Sequence, residues 1–581
     1  MKRIIYFLVI LFAVNQSVAQ WVSPGTGLSY TMETLRLAAP SAVQSTISHH
    51  YVILQNLTLS AGDTLTLESS AETVNVANGV TLTVHGTLLT ADRTQQLVIQ
   101  GDSTQNSYFE FRFEDATPSN LSHIHIQYCD GIKLINSDMV IDSCEFDHFS
   151  NHVVSYMNCH PVIQNSFFHD NQVCAIQSAL NTDGCPRIIN NVLYNNVLAN
   201  TNNPQINIGP GTTDTIFIIG NRIEGVASTM SGGIAITNLT NTGITKVLLQ
   251  DNVIAHNRYG YTQMGYRISS EIFDNQFIEN DLEVTPNNGG SGISIYGYEN
   301  TCAAKLRRNL ITGNLWGVTA INYHNVDMGT AEDPGYNVLY GNGNGGVDYE
   351  LYNNAFSNMN AVGNYWGCDN DAAAEAVIFH QADNASYGLV NYLPINVIEP
   401  EILSFDFFLE NNPGLAYPEY YNNLYGTITP DDSILFHIYG CVLPDITNLK
   451  PTIVKPLGVT ISPSENEGQN FYYPVTYTAS TPHQTFREYV VYFIIEAGIP
   501  DNVLTKINLA PNPVTQGYFT LENPTEEMLQ WRIYNATGQC VMFGEAQSGT
   551  NRISTKMLKS GTYLVYIQKD NMFVTKKLIV R

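Results

Sequence analysis

Charge is scarce in this chain. Asp, Glu, Lys and Arg make up 13% of its 581 residues, about half the share of an ordinary soluble protein. The charge present is lopsided, with 52 acidic against 26 basic residues and a net charge of −26. That excludes a phosphate-binding surface as the organising feature, so no nucleic-acid partner is expected. Long apolar runs are also missing. The longest, Ile4 to Val14, is too short to span a bilayer, and nothing after it is longer, so no transmembrane segment is expected. There is no CxxC pair among the nine cysteines, and a pairing such as Cys174 with Cys185 is not readable from spacing. No two histidines have the close spacing of a strong zinc motif; His123, His125, His152 and His160 are scattered through the N-terminal third. Amphipathic helical stretches are lacking too, because each apolar run is only a few residues long.

A repeat is present instead. Asn191-Val-Leu-Tyr-Asn-Asn196, Asn252-Val-Ile-Ala-His-Asn257, Asn275-Gln-Phe-Ile-Glu-Asn280, Asn309-Leu-Ile-Thr-Gly-Asn314 and Asn337-Val-Leu-Tyr-Gly-Asn342 are copies of one phrase. Asn221 and Asn364 fit its first half, and Cys144 and Ser166 take the first Asn's place in two earlier copies. From Cys144 the steps are 22, 25, 30, 31, 23, 34, 28 and 27 residues. A loose period of this size with short apolar runs predicts a solenoid of strands. One coil cannot bury its own apolar face, so stacked coils build the core. Stacked Asn side chains donate to one neighbour and accept from the next, forming a ladder. Asn at the bend is also expected to adopt the left-handed backbone conformation.

The pattern resembles the right-handed parallel β-helix of pectate lyases, polygalacturonases and many bacterial surface proteins. The resemblance covers most of residues 40–395 and says little about activity. Residues 1–19 read as a signal peptide cleaved near Ala19, with Lys2 and Arg3 before the apolar core and Ser17-Val-Ala19 at its end. The expected all-β architecture is a β-helix with an N-terminal cap over 20–398, then two small β-sandwiches. Residues 399–500 carry short strands at sandwich spacing and resemble a bacterial immunoglobulin-like module. Residues 501–581 contain Pro511-Asn512-Pro513, Gly517, Gly538, Gly561, Tyr563 and Lys577, in a segment ending on a basic strand. This resembles the type A C-terminal sorting domain of Bacteroidetes type IX secretion cargo. The resemblance implies recognition by the type IX machinery, removal of the domain, and release or attachment at the outer-membrane surface.

Chemistry is harder to place. Asn181-Thr-Asp-Gly184 resembles a polygalacturonase motif, but the paired Asp, the His-Gly and the Arg-x-Lys of that family do not follow it. Three and four residues past each ladder position stand Asp147-His148, His169-Asp170, Tyr194-Asn195, Glu224, His256 and Glu279. Stacking would set these along one edge, with Asp147, His169, Asp170 and Glu224 as candidate catalytic groups. Asp147 and Asp170 would lie one coil apart, near the about 5–5.5 Å of a retaining carboxylate pair, or could share Ca²⁺. Tyr259, Tyr296 and Trp316 are candidates for stacking on sugar rings, with Arg258 and Arg267 nearby. Two functional classes follow: a non-catalytic surface protein that binds glycans or mediates adhesion, and a polysaccharide lyase or hydrolase acting on an acidic polysaccharide. The missing catalytic motif favours the first.

Overall fold

In the computed structural model the described residues are 20–91, 95–103, 108–179, 182–209, 214–227, 229–241, 243–285, 288–415, 423–439, 445–496, 503–536, 539–569 and 572–581. The expected signal peptide, Asn181 and Gly538 lie outside them. The chain divides into two compact units, one holding residues 1–401 with two short loops, 456–460 and 480–486, and the other the remainder. No helix among the described residues is long and apolar enough to cross a membrane.

The first unit is a parallel β-helix. Most coils contribute one strand to each of three sheets, while Ser29–Thr31, Thr64–Leu67 and Thr87–Thr90 of the first coils form a separate three-stranded sheet. The first sheet has 14 strands, from Gln20–Val22 to Ile378–Phe379. The second has 13, from Val43–Ile47 to Val338–Tyr340, and the third has 11, from Ser119–Ser122 to Val390–Asn391. The strands of these three sheets pair in parallel, except the opening pair of Val43–Ile47 with His50–Ile53; a short antiparallel hairpin, Gly343–Asn344 with Val347–Asp348, stands outside them. Many second-sheet strands are only three residues long, such as Glu145–Asp147 and Phe167–His169. Each turns one residue inward, and Phe146, Phe168, Leu193, Ile223, Ile254, Phe277, Ile311 and Leu339 stack there without solvent exposure. Burying each contributes roughly 1.5–3 kcal/mol, which offsets ordering strands that could not persist alone.

The Asn ladder runs unbroken. The side-chain amides of Asn191, Asn221, Asn252, Asn275, Asn309 and Asn337 each donate to Oδ1 of the next Asn, at 2.8–3.1 Å, ending on Asn364. Ser166 and Cys144 extend it toward the N-terminus, as the backbone N–H of Ser166 donates to Asn191 and that of Cys144 to the Ser166 hydroxyl. A second ladder, Asn257, Asn280, Asn314 and Asn342, follows the second half of the repeat and ends on the buried Glu350. One expectation is corrected. The left-handed residue is not the ladder Asn but the one before it: Asn165, Asn190, Asp251, Asp274, Arg308 and Tyr336 precede the first ladder at φ of 50–59°. The ladder Asn keeps ordinary backbone geometry because its work is done by the buried side chain.

The N-terminal end is covered by a helix, Met32–Ala38, that short-period reading of the sequence passes over. Thr31 and Thr34 form a reciprocal capping box, and Met32 and Leu35 are buried against the first coils. Beneath it the buried Asp63 carboxylate accepts from the backbone N–H groups of Gly25, Thr26, Gly27 and Leu28 at 2.8–3.0 Å. Burial works against that charge, but the bonds from Ser23, Leu28, Gly25 and Gly27 outweigh it and lower the pKa. No disulfide joins the eight described cysteines, Cys174 and Cys185 among them.

The second unit contains small sheets. Two of them, of three and five strands, occupy residues 404–496, around Phe405, Phe407, Phe436, Phe471, Tyr477 and Phe493. Two more, of three and four strands, occupy 509–580 around Phe519, Leu521, Trp531, Ile533, Val565 and Ile567.

Candidate functional site

The outer surface of the second sheet carries two rows of side chains, because a strand presents every second residue to each side. One row runs Asn75, Gln100, Gln127, Asp147, His169, Tyr194, Glu224 in register. The first three are an exterior amide ladder, with bonds of 2.8 and 2.9 Å. The adjacent row holds Val98, His125, Glu145, Phe167, Val192 and Arg222.

Where the rows cross coils, imidazoles and carboxylates meet. His125 Nε2 stands 3.3 Å from Asp147 Oδ2. His169 Nε2 is 3.2 Å from Glu145 Oε1 and 3.9 Å from Asp147 Oδ2, and its Nδ1 is 2.8 Å from Asp170. Asn195 donates to the other Asp170 oxygen. Phe167 stacks on the His169 ring at 4.2 Å, and His148 contacts Asp147 at 3.3 Å while stacking on Tyr128. Burial opposes charge on both His125 and Asp147. The hydrogen bond and opposite charges between them win, raising the His125 pKa and lowering that of Asp147.

Asp147 and Asp170 are not equivalent positions. Asp147 pairs in register with His169. Asp170 sits at the left-handed corner, at φ 54°, like His148 and Asn195 in the neighbouring coils, so it faces His169 rather than forming a carboxylate pair with Asp147. Glu224 is two coils beyond His169, past Tyr194, and bonds Arg222 at 2.5 Å on its own strand. His125 and Glu145 belong to the cluster although their positions past the ladder do not mark them. Only the register of whole coils brings them in.

The first sheet offers a different surface. Thr262, Ser294, Thr319 and Tyr352 follow one another coil by coil on its outside. Together with Tyr259, Asn288, Trp316 and Asn354 they line a cleft of about 430 Å³. Trp316 lies 4.6 Å from Tyr349 and 4.7 Å from Tyr352, ring centre to ring centre, and Tyr352 stacks on Phe379 at 4.5 Å. Tyr296 stands in the next outward row, between Met264 and Ile321, against Tyr298. Tyr259 is the least available of the three expected platforms. Its ring lies over Gly232, where a Cβ would come within 2.3 Å of it, and Arg258 covers the ring at 5.1 Å. Arg267 takes a turn position at φ 50°. Among the described residues, no carboxylate, imidazole, ammonium or guanidinium lines this cleft.

In the last segment Asn512 hooks the final strand. Its amide donates to the Lys577 carbonyl at 2.6 Å, and its Oδ1 accepts from Ile579 N–H at 2.9 Å. Val514 N–H donates to the Ile579 carbonyl beside it. Gly561 opens the strand Gly561–Lys569, which pairs along its length with Met572–Val580, and the Tyr563 hydroxyl bonds the Lys559 carbonyl.

This segment bears on the cellular destination. Residues 508–581 match the family model described as secretion system C-terminal sorting domain. The protein is a secretion cargo with a β-helix domain, delivered outside the cell or to its surface. Residues 442–492 match the model "SGBP, N-terminal", and residues 265–370 match a protein of unknown function, DUF1565. No curated protein matches the chain. Among solved structures, the periplasmic alginate epimerase AlgG is 14% identical, over 63% of this chain and 83% of that one, with a TM-score of 0.40. A putative glycoside hydrolase from Bacteroides thetaiotaomicron is 20% identical over 25% of this chain and 34% of that one, with a TM-score of 0.14.

Proposed function

We propose that this cargo is a non-catalytic glycan-binding protein that holds an uncharged polysaccharide in the cleft on the first sheet. The observation that carries the reading is the cleft's lining: Trp316 and Tyr352 at one side, a floor of Thr262, Ser294 and Thr319, and no charged group. Aromatic faces bind the apolar faces of sugars, and small hydroxyl side chains between them bond sugar hydroxyls. The match of residues 442–492 to a glycan-binding family model supports the same direction. Residues 399–500 act as an immunoglobulin-like spacer or accessory module, and 501–581 engage the type IX machinery.

The alternative, turnover of an acidic polysaccharide, finds little support. Hydrolysis needs two carboxylates astride the bond, and an acidic substrate needs cations to offset the chain's −26 charge. The test is a glycan array on the full chain, followed by calorimetry and a reducing-sugar assay with the strongest ligand. Binding of a neutral oligosaccharide without release of reducing ends is expected. Release of reducing ends or unsaturated products would overturn the reading.

A further inference from the structure

We propose that His125, Glu145, Asp147 and His169 form a site for a divalent transition-metal ion of the zinc class. The four side chains stand on three successive strands of the second sheet, on its outer surface. One atom each from His125, Glu145 and Asp147 lies within 4.8 Å of the others. The contacts that define the cluster are 3.2 Å for His169 Nε2 to Glu145, 3.3 Å for His125 Nε2 to Asp147, and 3.9 Å for His169 Nε2 to Asp147. A tetrahedral ion with bonds of about 2.0–2.1 Å holds its ligand atoms about 3.3–3.4 Å apart. His125, Glu145 and Asp147 bring their ligand atoms together as they stand, and His169, which touches Glu145 and Asp147, turns its imidazole inward to complete the set.

Two observations independent of the clustering point into the same space. Asp147 is 7% exposed, and neither its Oδ1, 3.3 Å from His148, nor the buried His125 Nε2, 3.3 Å from Asp147 Oδ2, makes a well-aligned hydrogen bond. Such atoms are rare in folded proteins unless something completes them. Second, His169 is held as metal-binding imidazoles are held. Its Nδ1 bonds the Asp170 carboxylate at 2.8 Å, and Asp170 is itself fixed by Asn195 at 2.5 Å. A carboxylate on one ring nitrogen fixes the tautomer and leaves the other nitrogen to the ion.

The donor set selects the ion. Calcium takes six to eight oxygens, whereas two imidazoles and two carboxylates suit zinc and its neighbours. Four protein ligands make a closed site, which staples coils rather than activating water. The role is a cross-link over three coils.

The test uses the full chain, stripped with chelator and refilled with Zn²⁺ or Ca²⁺. One zinc per chain should survive dialysis, and Zn²⁺ but not Ca²⁺ should raise the melting temperature. Co²⁺ in place of zinc should give the visible absorption of a tetrahedral centre with nitrogen and oxygen ligands. H169Q should abolish retention and the Co²⁺ spectrum. D170N, which touches no metal, should weaken zinc binding about 10–100-fold. Each variant is checked for native circular dichroism, and H125Q serves if H169Q fails to fold. No retained zinc, equal stabilisation by Ca²⁺, or a Co²⁺ spectrum unchanged in both histidine variants would overturn the proposal.

Discussion

Asn252 gives both its side-chain amide and its backbone N–H to one atom, Oδ1 of Asn275, at 2.9 and 3.0 Å. Asn275 in turn donates to Asn309, and to the carbonyls of Leu249 and Phe273. Every rung thus satisfies the buried backbone of the coils beside it. Asn275→Leu strands the backbone N–H of Asn252 and takes the amide donor away from the Leu249 and Phe273 carbonyls, while the backbone N–H of residue 275 still reaches Asn309. We expect a loss of about 1–3 kcal/mol, read as a lower melting temperature. Unchanged unfolding would mean that the ladder is not a stabilising element.

Glu350 closes the inner ladder, accepting from Asn342. Burial raises its pKa from 4.5 to about 8, although the bonds from Asn342 work the other way. The sign follows. The folded state holds this proton through a range in which the unfolded chain releases it. Glu350 therefore contributes most stability below about pH 4.5 and loses that contribution as pH rises to about 8. In Glu350→Gln the fall in melting temperature between pH 5 and pH 8 should be shallower than in the parent. Parallel curves would refute the buried, protonated state.

Asp63 binds four consecutive N–H groups of the loop between the first two strands. Asp63→Ala removes the buried carboxylate that gathers these four N–H groups of an exposed loop and should cost about 1.5–3 kcal/mol. Because its pKa is lowered in the fold, its contribution is present above the carboxylate's ordinary value and is lost as pH falls through the folded one. Hydrogen exchange should show the first coil opening in the variant at neutral pH. Protection equal to the parent's would rule out the clamp.

The sorting segment makes a cellular prediction. A chain lacking residues 508–581 should accumulate inside a host that has the type IX system. Asn512→Ala, which frees the last strand from its two bonds, should reduce export in the full chain. Normal surface delivery of the truncated chain would disprove the segment's role.

The ladder was legible because one buried position per coil demands a short side chain that both donates and accepts, which Asn275 and Asn309 supply and Ser166 supplies in an earlier coil. The outer surface was less legible. A fixed offset from the ladder led to Asp147 and Asp170, but a one-residue shift moves a side chain from a strand face to a corner. That shift makes Asp170 the partner of His169 instead of Asp147. His125 stands out in the sequence only as one of several scattered histidines, because its coil starts before the first recognisable ladder residue and nothing there aligns it with Glu145. Met32–Ala38 was missed although Thr31 and Thr34 spell a cap, since one short helix leaves little periodic trace. In the cleft, Trp316 and Tyr352 lie 36 residues apart and become neighbours only when coils stack.

The central claim is that the cleft on the first sheet binds a neutral glycan without turning it over. The most direct measurement is calorimetric titration of the full chain, Trp316→Ala, Tyr352→Ala and Asp147→Asn with the best neutral oligosaccharide from an array. The account predicts at least tenfold weaker binding, about 1.4 kcal/mol, for each aromatic variant. It predicts parental affinity for Asp147→Asn. Parental affinity in both aromatic variants, or loss of binding only in Asp147→Asn, would contradict it.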